Sequence, residues 1–340
     1  MGIEVTLVNQ LPSYGCNHYD PSTGKLKYRN HINYEPFYEQ AMKSDCYNKY
    51  APGKKVSDFM KYTRVGWNVE DKGHDMQHLK SCTVSHYLAT DGTEHGKTVF
   101  FSSSNLDEIS GQGRNGHNGT QSGVIISDHD ELYRVTYNYT QLMYEYRGKE
   151  QIYELRKYMN SENERQMALL KSGRGNEIPS DKQIVYIGTK NDPVFELYFT
   201  PFGGGVDSWD TEYNPIAKYV NKLATSKDYI EFSMGMAYYS DSGSNICYTF
   251  ENVLEKAYCE NPNPNNKLTI YAKEYDPRGI ADLSLGRQIG YRNIRPSTGS
   301  HCKDMIMSYE ENGVRHNVSL LSSCNFGAYA YSYRTNSMLV

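Results

Sequence analysis

The chain has almost no tryptophan, two residues in 340, and no apolar run long enough to cross a membrane as a helix. Behind Met1 there is no positively charged segment followed by an apolar core, so no secretory leader is visible. Met1-Gly2-Ile3-Glu4-Val5-Thr6 fits the myristoylation pattern, but Ile3, Val5 and Leu7 alternate as a buried-face strand does, which makes the match accidental. Seven cysteines form no C-x-x-C pair, which excludes the common zinc-ribbon and thioredoxin arrangements. Their odd number is consistent with reduced thiols, or with three disulfides and one thiol left over. Charge of one sign is also scarce. A net charge of -4 argues against a nucleic-acid binder that works through a broad basic surface.

What the chain does have is tyrosine, 32 residues of it, expected to serve as the large residue of the core and its rim. It also carries one phrase twice. The first copy runs His78-Leu79-Lys80 to Ser85, then Phe101-Ser102-Ser103-Ser104-Asn105. The second runs His301-Cys302-Lys303 to Ser308, then Leu321-Ser322-Ser323-Cys324-Asn325. A single His-x-Lys is usually solvated surface, but two copies with matched downstream Ser-Ser-x-Asn are not chance. In a strand, residues two apart share a face, so each histidine is expected to project beside its lysine while the residue between them faces the core. Two lysines give fixed positive charge for phosphate-like oxygens, and two imidazoles can divide a displacement into nucleophile and acid. Asn105 and Asn325 add amide donors for developing negative charge. Cys82, Cys302 and Cys324, beside the motif residues, read as small core side chains.

These two phrases resemble the paired half-motifs of the phospholipase D superfamily, H-x-K-x4-D followed by G-S-x-N. Asn105-Leu106-Asp107, followed by Gln121-Ser122-Gly123-Val124-Ile125-Ile126, is similar to the family's Asn-Leu and returning strand. The chain departs from the pattern where Ser85 and Ser308 replace the aspartate and where Ser102 and Ser322 replace the glycine. The resemblance implies an α/β fold of two similar halves, each a mixed sheet flanked by helices, related by a pseudo-two-fold axis with the site at the seam. It implies a phosphodiesterase in which His78 forms a phosphohistidine and His301 protonates the leaving alcohol. Lys80, Lys303, Asn105 and Asn325 would hold the phosphoryl oxygens, with Ser85, Ser103, Ser308, Ser323 and Gln121 supporting. No metal or cofactor is implied, because the lysines neutralise the charge. The substrate is a phosphodiester, either a phospholipid head group or a nucleic acid end. The charge and the tyrosine content favour lipid and a transient contact with a membrane surface.

A rival pattern is His74-Asp75-Met76-Gln77-His78, which has the spacing of a helical zinc site. Gly73 ahead of it and the lack of helical periodicity around it count against that reading. Gly111 to Gly119 is a glycine-rich loop without the strand-to-helix context of a phosphate loop. Sequons at Asn118, Asn138 and Asn317 permit glycosylation if the chain is exported. A secreted or luminal location is expected ahead of the cytoplasm.

The halves are expected at 1–180 and 181–340. Strands are expected over 3–8, 183–187, 194–199, 229–236 and 268–272. Helices are expected over 149–171 as an amphipathic surface element, over 216–224 behind the Asn214-Pro215 start signal, and over 250–257. Residues 10–77 read as a long insertion and 172–180 as a linker. The first half shows no counterpart to residues 184–265, and Thr335 to Val340 matches Thr120 to Ile125 and then stops. The chain is therefore expected to be a segment of a longer product or to have lost terminal elements.

Overall fold

The computed structural model describes residues 5–10, 60–65, 76–103, 122–148, 151–189, 192–201, 218–219, 230–236, 267–273, 295–297, 302–324 and 334–340. They form a mixed α/β structure. In chain order the strands are β1 (Val5–Gln10), β2 (Met60–Val65), β3 (Met76–Gln77), β4 (Ser81–Val84), β5 (Tyr87–Leu88), β6 (Glu94–His95), β7 (Thr98–Ser102) and β8 (Gly123–Ile126). Two helices follow, α1 (Asp130–Glu145) and α2 (Gln151–Lys171). Then come β9 (Tyr186–Thr189), β10 (Asp192–Thr200), β11 (Ile230–Met236), β12 (Lys267–Lys273), β13 (Arg295–Ser297), β14 (Lys303–Glu311), β15 (Val314–Ser322) and β16 (Arg334–Leu339).

Among the described residues the largest sheet runs β13-β12-β11-β14-β15-β16-β10-β9, with β3 paired to the leading end of β16. A smaller antiparallel sheet runs β4-β7-β8, and β1 pairs in parallel with β2. The strand β2 lies inside the stretch expected to be one long insertion. Its polar composition, Met-Lys-Tyr-Thr-Arg-Val, gave no apolar alternation to find it by. The expected strands at 194–199, 229–236 and 268–272 correspond to β10, β11 and β12. The strand expected at 183–187 starts later, at Tyr186. The helix expected at 216–224 is described only at Lys218 and Tyr219, which are helical, and the one at 250–257 lies outside the described residues.

Local chemistry explains the helix boundaries. His129 caps α1, its Nδ1 accepting from the Leu132 amide at 3.3 Å, and Asp130 and Glu131 place negative charge in the first turn. Leu132, Val135, Thr136, Tyr139, Leu142 and Met143 recur at helical spacing and are buried. At the start of α2 the Gly148 amide donates to Gln151 Oε1 at 2.7 Å while the Gln151 amide donates to the Gly148 carbonyl, the reciprocal form of a capping box. The helix ends at Gly173, where φ is +74°, and the Arg174 amide folds back onto the Leu169 carbonyl. Its stripe of Ile152, Leu155 and Met159 is fully buried, and Asn163, Gln166 and Met167 continue it.

The core does not stop at position 180. One cluster of buried side chains includes Phe101, Leu132 and Val135 together with Leu197, Met305, Leu320 and Met338. Tyr139 of α1 stacks on Phe199 of β10 with centroids 4.2 Å apart, and its hydroxyl donates to the Thr200 carbonyl at 2.5 Å. The expected linker is fixed in place, since Arg134 and Asn138 both donate to the Ser180 carbonyl and Ile178 is buried. Tyrosine contributes Tyr139, Tyr186, Tyr198, Tyr219 and Tyr309 to this interior.

Candidate functional site

Each copy of the repeated phrase runs into an antiparallel three-strand unit of matching register, β4-β7-β8 in the first and β14-β15-β16 within the large sheet in the second. In the first, Ser81 pairs with Phe101 and Phe101 with Val124. In the second, Asp304 pairs with Leu321 and Leu321 with Leu339. The residue after each motif lysine therefore faces the equivalent residue ahead of each Ser-Ser, and the third strand keeps the same register.

Side-chain hydrogen bonds repeat with it. Ser102 Oγ donates to the Ser122 carbonyl at 3.2 Å, and Ser322 Oγ donates to the Ser337 carbonyl at 3.0 Å. The Ser122 amide donates to Ser103 Oγ at 2.9 Å, and the Ser337 amide donates to Ser323 Oγ at 3.0 Å. The Ser103 and Ser323 amides return bonds to those same carbonyls, at 2.9 and 3.1 Å. All four motif serines are buried, and their role here is to close the turn that leads into the Asn position. A glycine at 102 or 322 could not supply the hydroxyl that makes one of these bonds.

The motif lysines are interior, Lys80 at 5% and Lys303 at 0% exposure. An isolated ammonium is costly to remove from water, so two at matching positions mark a place built for charge. Lys80 Nζ donates to the His78 carbonyl at 2.8 Å. The expected strand placement holds for Lys303, the first residue of β14. His78-Leu79-Lys80 instead bridges β3 and β4, because the chain there passes from pairing with β16 to pairing with β7. Leu79, between the histidine and the lysine, is buried.

Two contacts bring the copies together. Gln77, the neighbour of His78, pairs with Thr335, two residues ahead of the Ser337 that holds Ser323. From the other side Asp304, the neighbour of Lys303, accepts a 2.5 Å hydrogen bond from Ser122 Oγ, the partner of Ser103. The His-x-Lys segment of each copy thus reaches the serine turn of the other.

Other expected site residues fall elsewhere. Ser85 is exposed beyond the end of β4. Ser308 lies an odd number of positions from Lys303, hence on the opposite face of β14, and donates to Asn317 Oδ1 across the ladder at 2.6 Å. His301, Asn105, Asn325 and Gln121 lie outside the described residues, as do His74 and the 111–119 loop. The zinc pattern required a helix from 74 to 78, whereas Met76–Gln77 is a strand. Cys302 and Cys324 are buried and Cys82 is exposed, all three as free thiols. Sequence reasoning did not single out Asp304, Ser122 or Ser337. Matching Thr120-Gln121-Ser122 to Thr335-Asn336-Ser337 was the signal that could have found the two serines.

In comparisons with known proteins, the chain matches no family model and no curated protein.

Proposed function

We propose that the chain is a metal-independent phosphodiesterase of the phospholipase D type, with two pseudo-symmetric halves meeting at the site. The observation that carries this reading is the duplicated meander: the same register and the same serine bonds, each beside a buried lysine, with each motif reaching into the other copy. In the mechanism that follows, His78 attacks phosphorus and forms a phosphohistidine. The leaving alkoxide takes a proton from His301. The same imidazole then removes a proton from water, which attacks phosphorus, breaks the N–P bond and releases the phosphomonoester. Lys80 and Lys303 hold the non-bridging oxygens throughout, with Asn105 and Asn325 as amide donors.

A phospholipid head group is the favoured substrate, met during transient contact with a membrane surface in a secreted or luminal setting, and a nucleic acid end is the alternative. A second reading, phosphate binding without turnover, draws on the placement of Ser308, whose hydroxyl is spent on Asn317 and not on a histidine. Phosphatidylcholine, single-stranded DNA and bis(p-nitrophenyl) phosphate assayed side by side separate these readings. Hydrolysis lost in both His78→Ala and His301→Ala supports the catalytic assignment. Turnover that survives both substitutions removes it, and a parent chain inert on all three substrates leaves the binding reading.

A further inference from the structure

We propose that Asp304 is a positioning residue for this site, locking the two lysine-bearing copies together through Ser122. The inference rests on the phosphodiesterase reading and deepens it. Two buried lysines can address one phosphorus only if the elements that carry them keep a fixed separation, and misplacement by about 1 Å can cost on the order of a hundredfold in rate. The Asp304–Ser122 bond spans the two copies directly. Lys303 precedes Asp304 in the chain, and Ser122 is tied to Ser103 by its amide, carbonyl and hydroxyl. Ser102, next to Ser103, donates its amide to the Lys80 carbonyl at 3.0 Å. A continuous path of short bonds therefore runs from the backbone of Lys303 to the backbone of Lys80.

The device belongs to one side only. The position equivalent to Asp304 in the first copy is Ser81, and the position equivalent to Ser122 in the second is Ser337, so the repeat offers no carboxylate for the mirror contact. A carboxylate acceptor makes a hydroxyl bond short and strong, in keeping with the 2.5 Å separation of Asp304 and Ser122 Oγ.

The experiment compares Asp304→Ala, Asp304→Asn, Ser122→Ala and the Asp304→Ala/Ser122→Ala double variant. Hydrolysis of bis(p-nitrophenyl) phosphate, inorganic phosphate binding by calorimetry and the thermal midpoint are measured for each. Both alanine variants should lose kcat by on the order of tenfold with KM changed less than about threefold, and the double variant should lose no more than either single one. Asp304→Asn, which keeps an acceptor for Ser122, should recover most of kcat. Additive losses, an asparagine variant as poor as alanine, or parental kcat in the single variants would each overturn the proposal. If the parent chain hydrolyses nothing, the phosphodiesterase reading falls, and phosphate affinity decides the positioning role. A shared, non-additive weakening supports it, and unchanged affinity rejects it.

Discussion

Lys303 is enclosed completely, at the head of a strand whose inward positions are otherwise Met305, Met307 and Tyr309. On the phosphodiesterase reading, Lys303→Met should keep a cooperative thermal transition, because an apolar chain of similar length fills the same space, while hydrolysis falls by at least about a hundredfold. Parallel calorimetry and assay would check both halves of that statement. Glu196 is a different case, a half-buried acid that serves the fold. It accepts from Lys218 at 2.8 and 3.0 Å, from Tyr198 at 2.8 Å and from Tyr219 at 3.3 Å. Burial, with the carboxylate as the next cause, pushes both phenols well above their ordinary range, so they stay protonated and act as donors. Glu196→Ala should cost about 1–2 kcal/mol in denaturant unfolding, because it leaves the buried Tyr198 and Tyr219 hydroxyls without their acceptor. At this scale the repeated histidines and lysines were legible from spacing alone. The serine bonds were not, because a hydroxyl that closes a turn leaves the same letter in the sequence as one that faces solvent.

The longer elements were the easier ones to find. Strands β10 and β12 carry their apolar residues directly behind Asn191 and Asn266, and α2 shows its stripe at Ile152, Leu155 and Met159. The turn between β14 and β15 was also available. Asn312 and Gly313 adopt φ of +55° and +74°, the two-residue hairpin turn that Asn-Gly favours. By contrast β3 is two residues long and is defined only by its distant partner β16, which no local pattern can reveal. The hairpin of β5 and β6 is clasped to the start of α1 by Asp128, whose carboxylate takes bonds from His95 at 3.0 Å and from the Gly96 amide at 2.6 Å. The His95 bond first, and the Gly96 amide after it, hold the Asp128 carboxyl below its usual range. A depressed carboxyl stabilises the fold above its unfolded value, near pH 4, and that contribution fades as pH falls through the folded value. Amide exchange at Gly96 should accordingly be protected at pH 6 and speed up selectively below about pH 4, and Asp128→Asn should show the fast exchange at both.

Over the whole molecule the repeat and the core do not share a boundary. The repeat sets an expected division near position 180, yet Tyr139 of α1 and Asn163 of α2 reach Phe199 and Thr200 of β10, and one buried cluster runs across both sides. A fragment of residues 1–180 should therefore fail to unfold cooperatively, and mixing it with residues 181–340 should restore a sigmoidal melt by circular dichroism. Independent cooperative melting of both fragments would contradict a shared core. The repeated phrase was readable because duplication preserves letters. The shared core was not, since it depends on which surfaces of the copies came to face each other.

The pairing of Met76 and Gln77 with Arg334 and Thr335 has a consequence for biosynthesis. A nascent chain still tethered to the ribosome, with Ser337 not yet emerged, cannot set Gln77 against Thr335 or close the second serine turn. On the phosphodiesterase reading, the two copies are therefore brought together only once translation has passed that point.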